Sequence, residues 1–388
     1  MKILHVTPYY RPAYRYGGPV RSVHGSCRAL ARQGCEVHVL TTNRDGPATL
    51  AVPVDQPVVI DGVTVWYFPS PVLRRTFFAP RMAGWLRRHL GEFDLLHCHA
   101  VYLWPTWAAA RWARKQGLPY LVSPHGMLVQ ELVRKRSRLK KRLWIHLVEK
   151  HNLRGAAAVQ VTGETEKNAL LEFGFDLPEV VVVPHGVDLE PEAGDGGAPA
   201  GDLRRLAAAP YILFLGRLHR VKGLDRLIRA MPRVRANLVV AGMDDPPYRR
   251  ELERLAGACG VSARVRFCRY VDGADKQFLL RHAALFVTAS YSENFCLAAL
   301  EAMAAGCPVV LTPEVGLAAF VRELGGGRVV PGDPETLGRA VQELLNRPAE
   351  LERLGREAVA VVRNHFAWDR IAARQKSLYE RLSAVRPE

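Results

Sequence analysis

The segment YILFLGRLHRVKGLDRLI (211–228) decides the fold. Its first five residues are all apolar, a run that suits a strand buried on both faces better than a half-exposed one. Gly216 closes the run, a polar loop follows, and Leu224, Leu227 and Ile228 then recur at helical spacing. Strand, Gly-containing loop and helix is how a parallel α/β unit begins. The same order opens the chain, with KILHVTP (2–8) as the strand. One sequence therefore starts an α/β domain twice.

Further short β-branched runs follow each start. The first half has EVHVLTT (36–42), DLLHCHA (94–100), YLVSPHG (120–126), AAVQVTG (157–163) and VVVVPHGVD (180–188). The second has ANLVVAG (236–242), ARVRFC (263–268), ALFVTAS (284–290) and CPVVLTP (307–313). Helical patterns separate most of them. The expected fold class is α/β, with two Rossmann-like, doubly wound parallel-sheet domains facing across a cleft. Residues 1–190 form the first domain, 191–209 a Gly-, Ala- and Pro-rich junction, and 210–365 the second. A last helix over 366–388 packs onto either domain or crosses back to the first.

Bulk properties narrow the class. The 388 residues are 48% hydrophobic and 24% charged, as in a globular chain of two domains. The formal charge is +16, and residues 1–190 carry 25 basic against 15 acidic side chains. Such an excess favours an anionic partner. Nucleic acid is disfavoured, because no helix-turn-helix, OB-like or aromatic-interleaved basic motif is present. Seven cysteines without a CxxC spacing read as reduced core thiols, as expected of a cytoplasmic protein. The start MKILHVTPYY suits a first strand rather than a signal peptide. No apolar run reaches the ~20 residues that span a bilayer.

Ligands of open α/β sheets bind beyond the carboxyl ends of the strands, so the chemistry is sought there. After the strand at 211–215 come Arg217 and Lys222, then Gly223 and a helix. Cationic side chains beside a helix N-terminus make an anion site. The segment TASYSENFCLAALEAMAAGCPVV (288–310) reads as strand end, loop, helix from about Asn294 to before Gly306, and strand. Between Ser290 and Pro313 its only charges are Glu293 and Glu301, with no nearby Lys or Arg in sequence. Ser290 with Glu293 fits a capping box, and Glu301 fits a solvated helix charge. Yet the helix is apolar, and burying an unpaired carboxylate costs several kcal/mol. The expectation is that both carboxylates face a polar cleft and accept hydrogen bonds from sugar or ribose hydroxyls. His97 and His99, spaced HxH, are candidates for the acceptor side, with one expected in the cleft and one in the core. No third metal ligand is evident beside them, and no metal site is expected.

E-x7-E in ENFCLAALE, combined with R-x4-K in GRLHRVKG, resembles the retaining family 4 glycosyltransferases of the GT-B type. YYRPAYRYGGPVRSVHGSCRALARQGCEVHVLTT (9–42) is similar to that family's first strand end, Gly-rich loop and first helix. SPHGML (123–128) and VVPHGVD (182–188) match its strand-end motifs. The likeness spans residues 2–380. It implies a metal-independent, retaining hexosyltransferase that needs no cofactor besides its substrate, a UDP- or GDP-linked sugar. Arg217 and Lys222 would hold the donor diphosphate, Glu301 the ribose, and Glu293 the transferred sugar. The amides of Asn294, Phe295 and Cys296 would meet phosphate or sugar. Gly17 and Gly18 would let the backbone approach donor or acceptor, and His125 would contact the donor sugar. Three positions depart from the family pattern. Cys296 stands where Gly is usual, His185 where Asn is usual, and Arg269 in FCRYV (267–271) where Gly is usual, near the base.

The expected acceptor is a saccharide or lipid-diphosphate-linked saccharide of exopolysaccharide, capsule or O-antigen assembly. The stretch 131–155 carries nine basic and two acidic residues with Leu132, Leu139, Leu143 and Leu147 at helical spacing. That pattern suits a helix over 131–154 resting on an anionic membrane, with the protein peripheral on the inner face of the cell membrane. The alternatives are a nucleotide-sugar epimerase, a phosphorylase, and a non-catalytic sugar-binding membrane scaffold on the same fold.

Overall fold

The computed structural model describes residues 1–128, 144–189, 200–206 and 209–384. Most of the basic stretch 131–154 and of the junction 191–209 lies outside the described residues. The chain divides into two compact units: Met1–Gly186 with Trp368–Glu388, and Val187–Ala367.

Unit 1 is built on β1 (Lys2–Val6), β2 (Glu36–Thr42), β3 (Pro57–Ile60), β4 (Val63–Phe68), β5 (Leu95–His99), β6 (Tyr120–Ser123), β7 (Ala158–Val161) and β8 (Glu179–Val182). They form one sheet in the order β8-β7-β6-β5-β1-β2-β4-β3. All neighbours are parallel except β3 and β4. That antiparallel pair was missing from the sequence reading. Its turn is Asp61-Gly62, with φ of 51° and 80°, the left-handed pair a tight hairpin needs. Helix α1 (Gly18–Arg32) follows β1 and turns Val20, Val23, Cys27 and Leu30 inward.

Unit 2 is built on β9 (Tyr211–Leu215), β10 (Asn237–Ala241), β11 (Val265–Cys268), β12 (Leu285–Thr288), β13 (Val309–Leu311) and β14 (Gly327–Val329). The order β11-β10-β9-β12-β13-β14, all parallel, is the doubly wound order that reverses between β9 and β12. The short β14 was also missing from the sequence reading. Side-chain alternation splits β9 between two cores: Tyr211 and Leu213 pack on one face, Ile212 and Phe214 on the other. This is why the strand reads as an unbroken apolar run. Around the site, α2 (Leu224–Ala230) follows β9, α3 (Gly273–His282) precedes β12, and α4 (Leu297–Ala304) follows it.

The last helix, α5 (Trp368–Ala384), belongs to unit 1. It is fastened there by a hydrogen bond between Tyr379 Oη and His97 Nδ1 (2.6 Å) and one from Ser26 Oγ to Gln375 Oε1 (2.5 Å). The Trp368 indole lies flat against two glycines. A Cβ on Gly25 would come within 2.3 Å of the ring, and one on Gly186 within 2.4 Å, so only glycine leaves room for it.

Candidate active site

In unit 2 the strands on either side of the order reversal deliver the site. The chain leaves β9 at Gly216, whose N–H bonds to Ala241 O (3.0 Å), and runs through a 3₁₀ turn at Arg220–Lys222. Gly223 has φ of 66°, and a Cβ there would lie 1.8 Å from Ala289 O. The missing side chain lets the Lys222 loop lie directly on the end of β12. A hydrogen bond from Tyr291 N to Val221 O (2.8 Å) ties the two loops together.

Beyond β12 the backbone does not enter a helix at Asn294, as the sequence suggested. Glu293 N bonds to Glu314 O (3.1 Å), Gly316 N to Glu293 O (2.9 Å), and Leu317 N to Phe295 O (3.0 Å). Glu293 and Val315 form an isolated parallel bridge. This pairing outcompetes the capping box and delays the helix to Leu297. Asn294 and Phe295 therefore precede the helix instead of lining its mouth. Cys296 caps α4 with φ of 81° and ψ of 72°, a left-handed conformation strained for any residue with a Cβ.

Both carboxylates are paired, which corrects the expectation that they are unpaired. Glu293 forms an ion pair with Lys222 Nζ, and Glu301 Oε1 lies 3.1 Å from Lys276 Nζ on α3. Lys276 also stands 3.8 Å from Asp272. These side chains keep between 14% and 22% exposure, so both pairs remain open to a ligand. Burial alone would lower the Lys222 ammonium. The Glu293 carboxylate, helped by the Cys296 thiol, outweighs that and holds it above its ordinary value, while the charge of Arg217 opposes. Arg217 is exposed and forms no ion pair among the described residues. Cys296 registers the whole cluster. Burial pushes its thiol up to about 12, Glu293 and Glu301 add to the rise, and Lys222 opposes it. Lys222, Glu293, Glu301 and Arg217 thus share one electrostatic neighbourhood. Arg269 is held by Asp275 at 2.8 Å, and Asp275 also accepts from Ala200 N.

Unit 1 carries the remaining candidates. Gly17, with φ of 73°, caps α1, and Gly18 is its first residue. His125 follows β6 with φ of 53°, a strained conformation for a residue bearing an imidazole. The turn is pinned by Glu166, a buried carboxylate that sequence reasoning missed. Its Oε1 accepts from Gly126 N (2.5 Å) and its Oε2 from Thr162 N (2.8 Å). His97 and His99 are both buried, at 0% and 3% exposure, so neither stands open to solvent as one was expected to. His97 is held by Tyr379 and by Ser123 Oγ (2.7 Å). His99 Nδ1 lies 3.0 Å from His125 Nε2, and His99 Nε2 lies 2.9 Å from His5 Nδ1. His5 on β1 is a third histidine that the HxH spacing did not disclose. Burial holds His5 down at about 3 and His125 at about 4, so both are neutral near pH 7.

Cationic side chains and partly exposed carboxylates at the strand ends suit an anionic, polyhydroxylated ligand. The comparisons with known proteins agree. The family model of glycosyl transferases group 1 matches residues 204–360, and that of the glycosyl transferase 4-like domain matches 17–186. An uncharacterized glycosyltransferase of Methanocaldococcus jannaschii is 30% identical over 400 residues, 98% of each chain. A D-inositol 3-phosphate glycosyltransferase of Xylanimonas cellulosilytica is 30% identical over 421 residues, 100% of this chain and 97% of its own. Among solved structures, sucrose-phosphate synthase from Thermosynechococcus elongatus matches with a TM-score of 0.78 at 24% identity, over 99% of both chains. HepE of Anabaena, solved with UDP, matches with a TM-score of 0.74 at 20% identity, over 99% of this chain and 100% of its own. The two parallel-sheet units are those of the GT-B fold. Matched in both halves by these family models, and along nearly all its length by a relative of 30% identity, the chain belongs to the group 1, family 4 glycosyltransferases.

Proposed function

We propose that the protein transfers a hexosyl group from a UDP- or GDP-sugar to a hydroxyl of a saccharide or lipid-linked saccharide, retaining anomeric configuration and using no metal ion. The observation that carries this reading is the Lys222–Glu293 ion pair at the order reversal of unit 2, with Arg217 in electrostatic reach. When a sugar diphosphate binds, Lys222 and Arg217 neutralise its phosphates. Glu293, released from part of its hold on Lys222, accepts from the sugar hydroxyls, and Glu301 from the ribose. His125 contacts the transferred sugar. Retention requires the acceptor oxygen to approach C1 from the face the diphosphate leaves. The C1–O bond to phosphate breaks, the new C1–O bond forms, and the acceptor proton passes to the departing phosphate oxygen. The structures of HepE in complex with UDP and with UDP-glucose support a nucleotide-sugar donor.

A phosphorylated cyclitol is a second acceptor class, favoured by the inositol phosphate named for several relatives and by the positive charge of residues 1–190. In the lipid-linked reading, the protein serves exopolysaccharide, capsule or O-antigen assembly while peripheral on the membrane. Among the described residues no helix is long and apolar enough to cross one.

The test screens UDP-, GDP- and ADP-sugars by thermal shift, since a ligand of the folded state raises apparent stability. Transfer is then measured with each acceptor class. Transfer that Lys222→Ala and Glu293→Gln abolish, with folding retained, is expected. Donor epimerisation without an acceptor, or full activity in both variants, refutes the proposal.

A further inference from the structure

The loop that leaves β4 in unit 1 carries an outward-facing finger. Residues 71–76 are all exposed, and Val72 and Leu73 keep 56% and 67% of their surface in solvent. A 3₁₀ turn over Arg74–Thr76 bends the tip. Leu73 precedes it with φ of 48° and Phe77 follows it with φ of 57°, left-handed backbone on both sides without a glycine. Thr76 closes the turn from within, its N–H and its Oγ1 both donating to Leu73 O (2.8 and 2.9 Å). The stem is anchored by rings. Phe77 is 7% exposed and lies 5.8 Å from Tyr9 and 5.7 Å from Tyr16, on the loop after β1. Phe78 stands edge-on to Trp104 at 5.2 Å.

One exposed aliphatic side chain is ordinary; two in a row, held out by strained backbone on an anchored stem, are not. Arg74 and Arg75 beside them form no ion pair among the described residues. No acidic residue lies between Asp61 and Glu92, a span that holds five arginines. The finger therefore offers apolar side chains that gain by leaving water and guanidinium groups that grip phosphate oxygens in pairs. Its place in the fold matters as well. β4 runs parallel to β2, and β2 to β1, so the finger stands on the carboxyl edge of the sheet. That is the edge where ligands of such sheets bind, and the order of unit 1 reverses there between β1 and β5.

We infer that this finger inserts Val72 and Leu73 into an anionic lipid surface, with Arg74 and Arg75 on the lipid phosphates, and so holds the strand-end edge of unit 1 against the membrane. This rests on the membrane-peripheral reading above and adds a contact separate from residues 131–154. A lipid surface suits the finger better than a protein does. A stable protein interface takes about 20–30 residues a side, whereas the tip offers only the exposed run 71–76. Between the two acceptor classes, the finger favours the lipid-linked saccharide over the phosphorylated cyclitol. The loop after β1, which Phe77 touches through Tyr9 and Tyr16, then lies close to the bilayer that presents such an acceptor.

The test sediments the full chain with vesicles of phosphatidylcholine alone and of phosphatidylcholine carrying about 30% phosphatidylglycerol, an anionic lipid. Recovery with the anionic vesicles only is expected. The double variant Val72→Ser, Leu73→Ser keeps every charge and should weaken partitioning about tenfold or more. Arg74→Gln with Arg75→Gln should weaken it about thirtyfold, since each cationic side chain near such a surface contributes about fivefold. Both variants should melt with the wild type, because all four side chains stand in solvent. Wild-type binding by the Val72, Leu73 variant refutes insertion and leaves the membrane contact to residues 131–154, so the peripheral reading survives. Equal recovery of the wild-type chain with both vesicles overturns the inference. Recovery with neither overturns it too, and the peripheral reading falls with it.

Discussion

Cys296 is held at φ of 81° where the family usually has glycine, and it offers a test with a definite sign. The perturbation is a pair of variants, Cys296→Ala and Cys296→Gly. Both lose the sulfur and its burial, so the difference between them isolates the backbone. In ordinary helix or strand backbone, Ala is the more stable by about 0.5–1 kcal/mol, because Gly has more freedom to lose. In the left-handed region a Cβ costs about 1–2 kcal/mol that Gly does not incur. The balance at this position favours Gly by about 0.5–1 kcal/mol. For a unit the size of Val187–Ala367, each kcal/mol moves Tm by about 2–4 °C. Scanning calorimetry should therefore show Cys296→Gly melting about 1–4 °C above Cys296→Ala. An alanine variant as stable as the glycine variant, or more so, would mean that the cap is unstrained and would refute the reasoning. The buried thiol, pushed up to about 12, should also resist alkylation at pH 8 in the folded chain.

Acid should strike unit 1 first. Burial lowers His5 and His185 to about 3 and His24 and His125 to about 4, from an ordinary 6.5, and all four lie in that unit. Below pH 6.5 the unfolded chain takes protons that the folded one refuses, so this stability is full above pH 6.5 and drains away towards pH 4. The slope approaches about 1.4 kcal/mol per pH unit for each group, and calorimetry between pH 7 and 5 should resolve an early, pH-dependent transition; a flat profile contradicts it. Glu301→Gln should weaken UDP binding about tenfold or more by titration calorimetry, through loss of charge-assisted hydrogen bonds. Its effect on folding should stay under about 1 kcal/mol, because the pair with Lys276 is partly exposed; unchanged UDP affinity would refute the ribose assignment. Trp368→Ala should destabilise unit 1 by about 3–5 kcal/mol in denaturant titrations, since its ring fills the slot between Gly25 and Gly186. A loss under about 1 kcal/mol would show that the slot collapses around the gap.

The sheets were legible because parallel strands covered on both faces leave short apolar runs, as at Tyr211–Leu215 and Leu95–His99. The hairpin Pro57–Phe68 was less visible, since its outer strand is partly exposed and opens with Pro57; the Asp61-Gly62 turn was the available signal. Residue type and spacing single out Lys222, Glu293 and Glu301 as candidates, but do not disclose their ion pairs. Lys276 reaches Glu301 from another helix, and nothing local in the sequence announces that meeting. The helix start was misplaced for the same reason. Ser290 and Glu293 look like a cap until residues 314–317 take up the backbone of 293–295. His5 was hidden in the opposite way, as one polar letter in a strand that otherwise reads as core.

The returning helix α5 has a consequence for how the protein is made. Its residues seal a face of the first unit, yet a ribosome reaches them only after the whole of the second unit has been translated. Until then the nascent first unit must wait with the Gly25–Gly186 slot empty and the Tyr379 hydroxyl absent from His97. The amino-terminal half is therefore finished last, and its completion reports that the downstream half has already been synthesised.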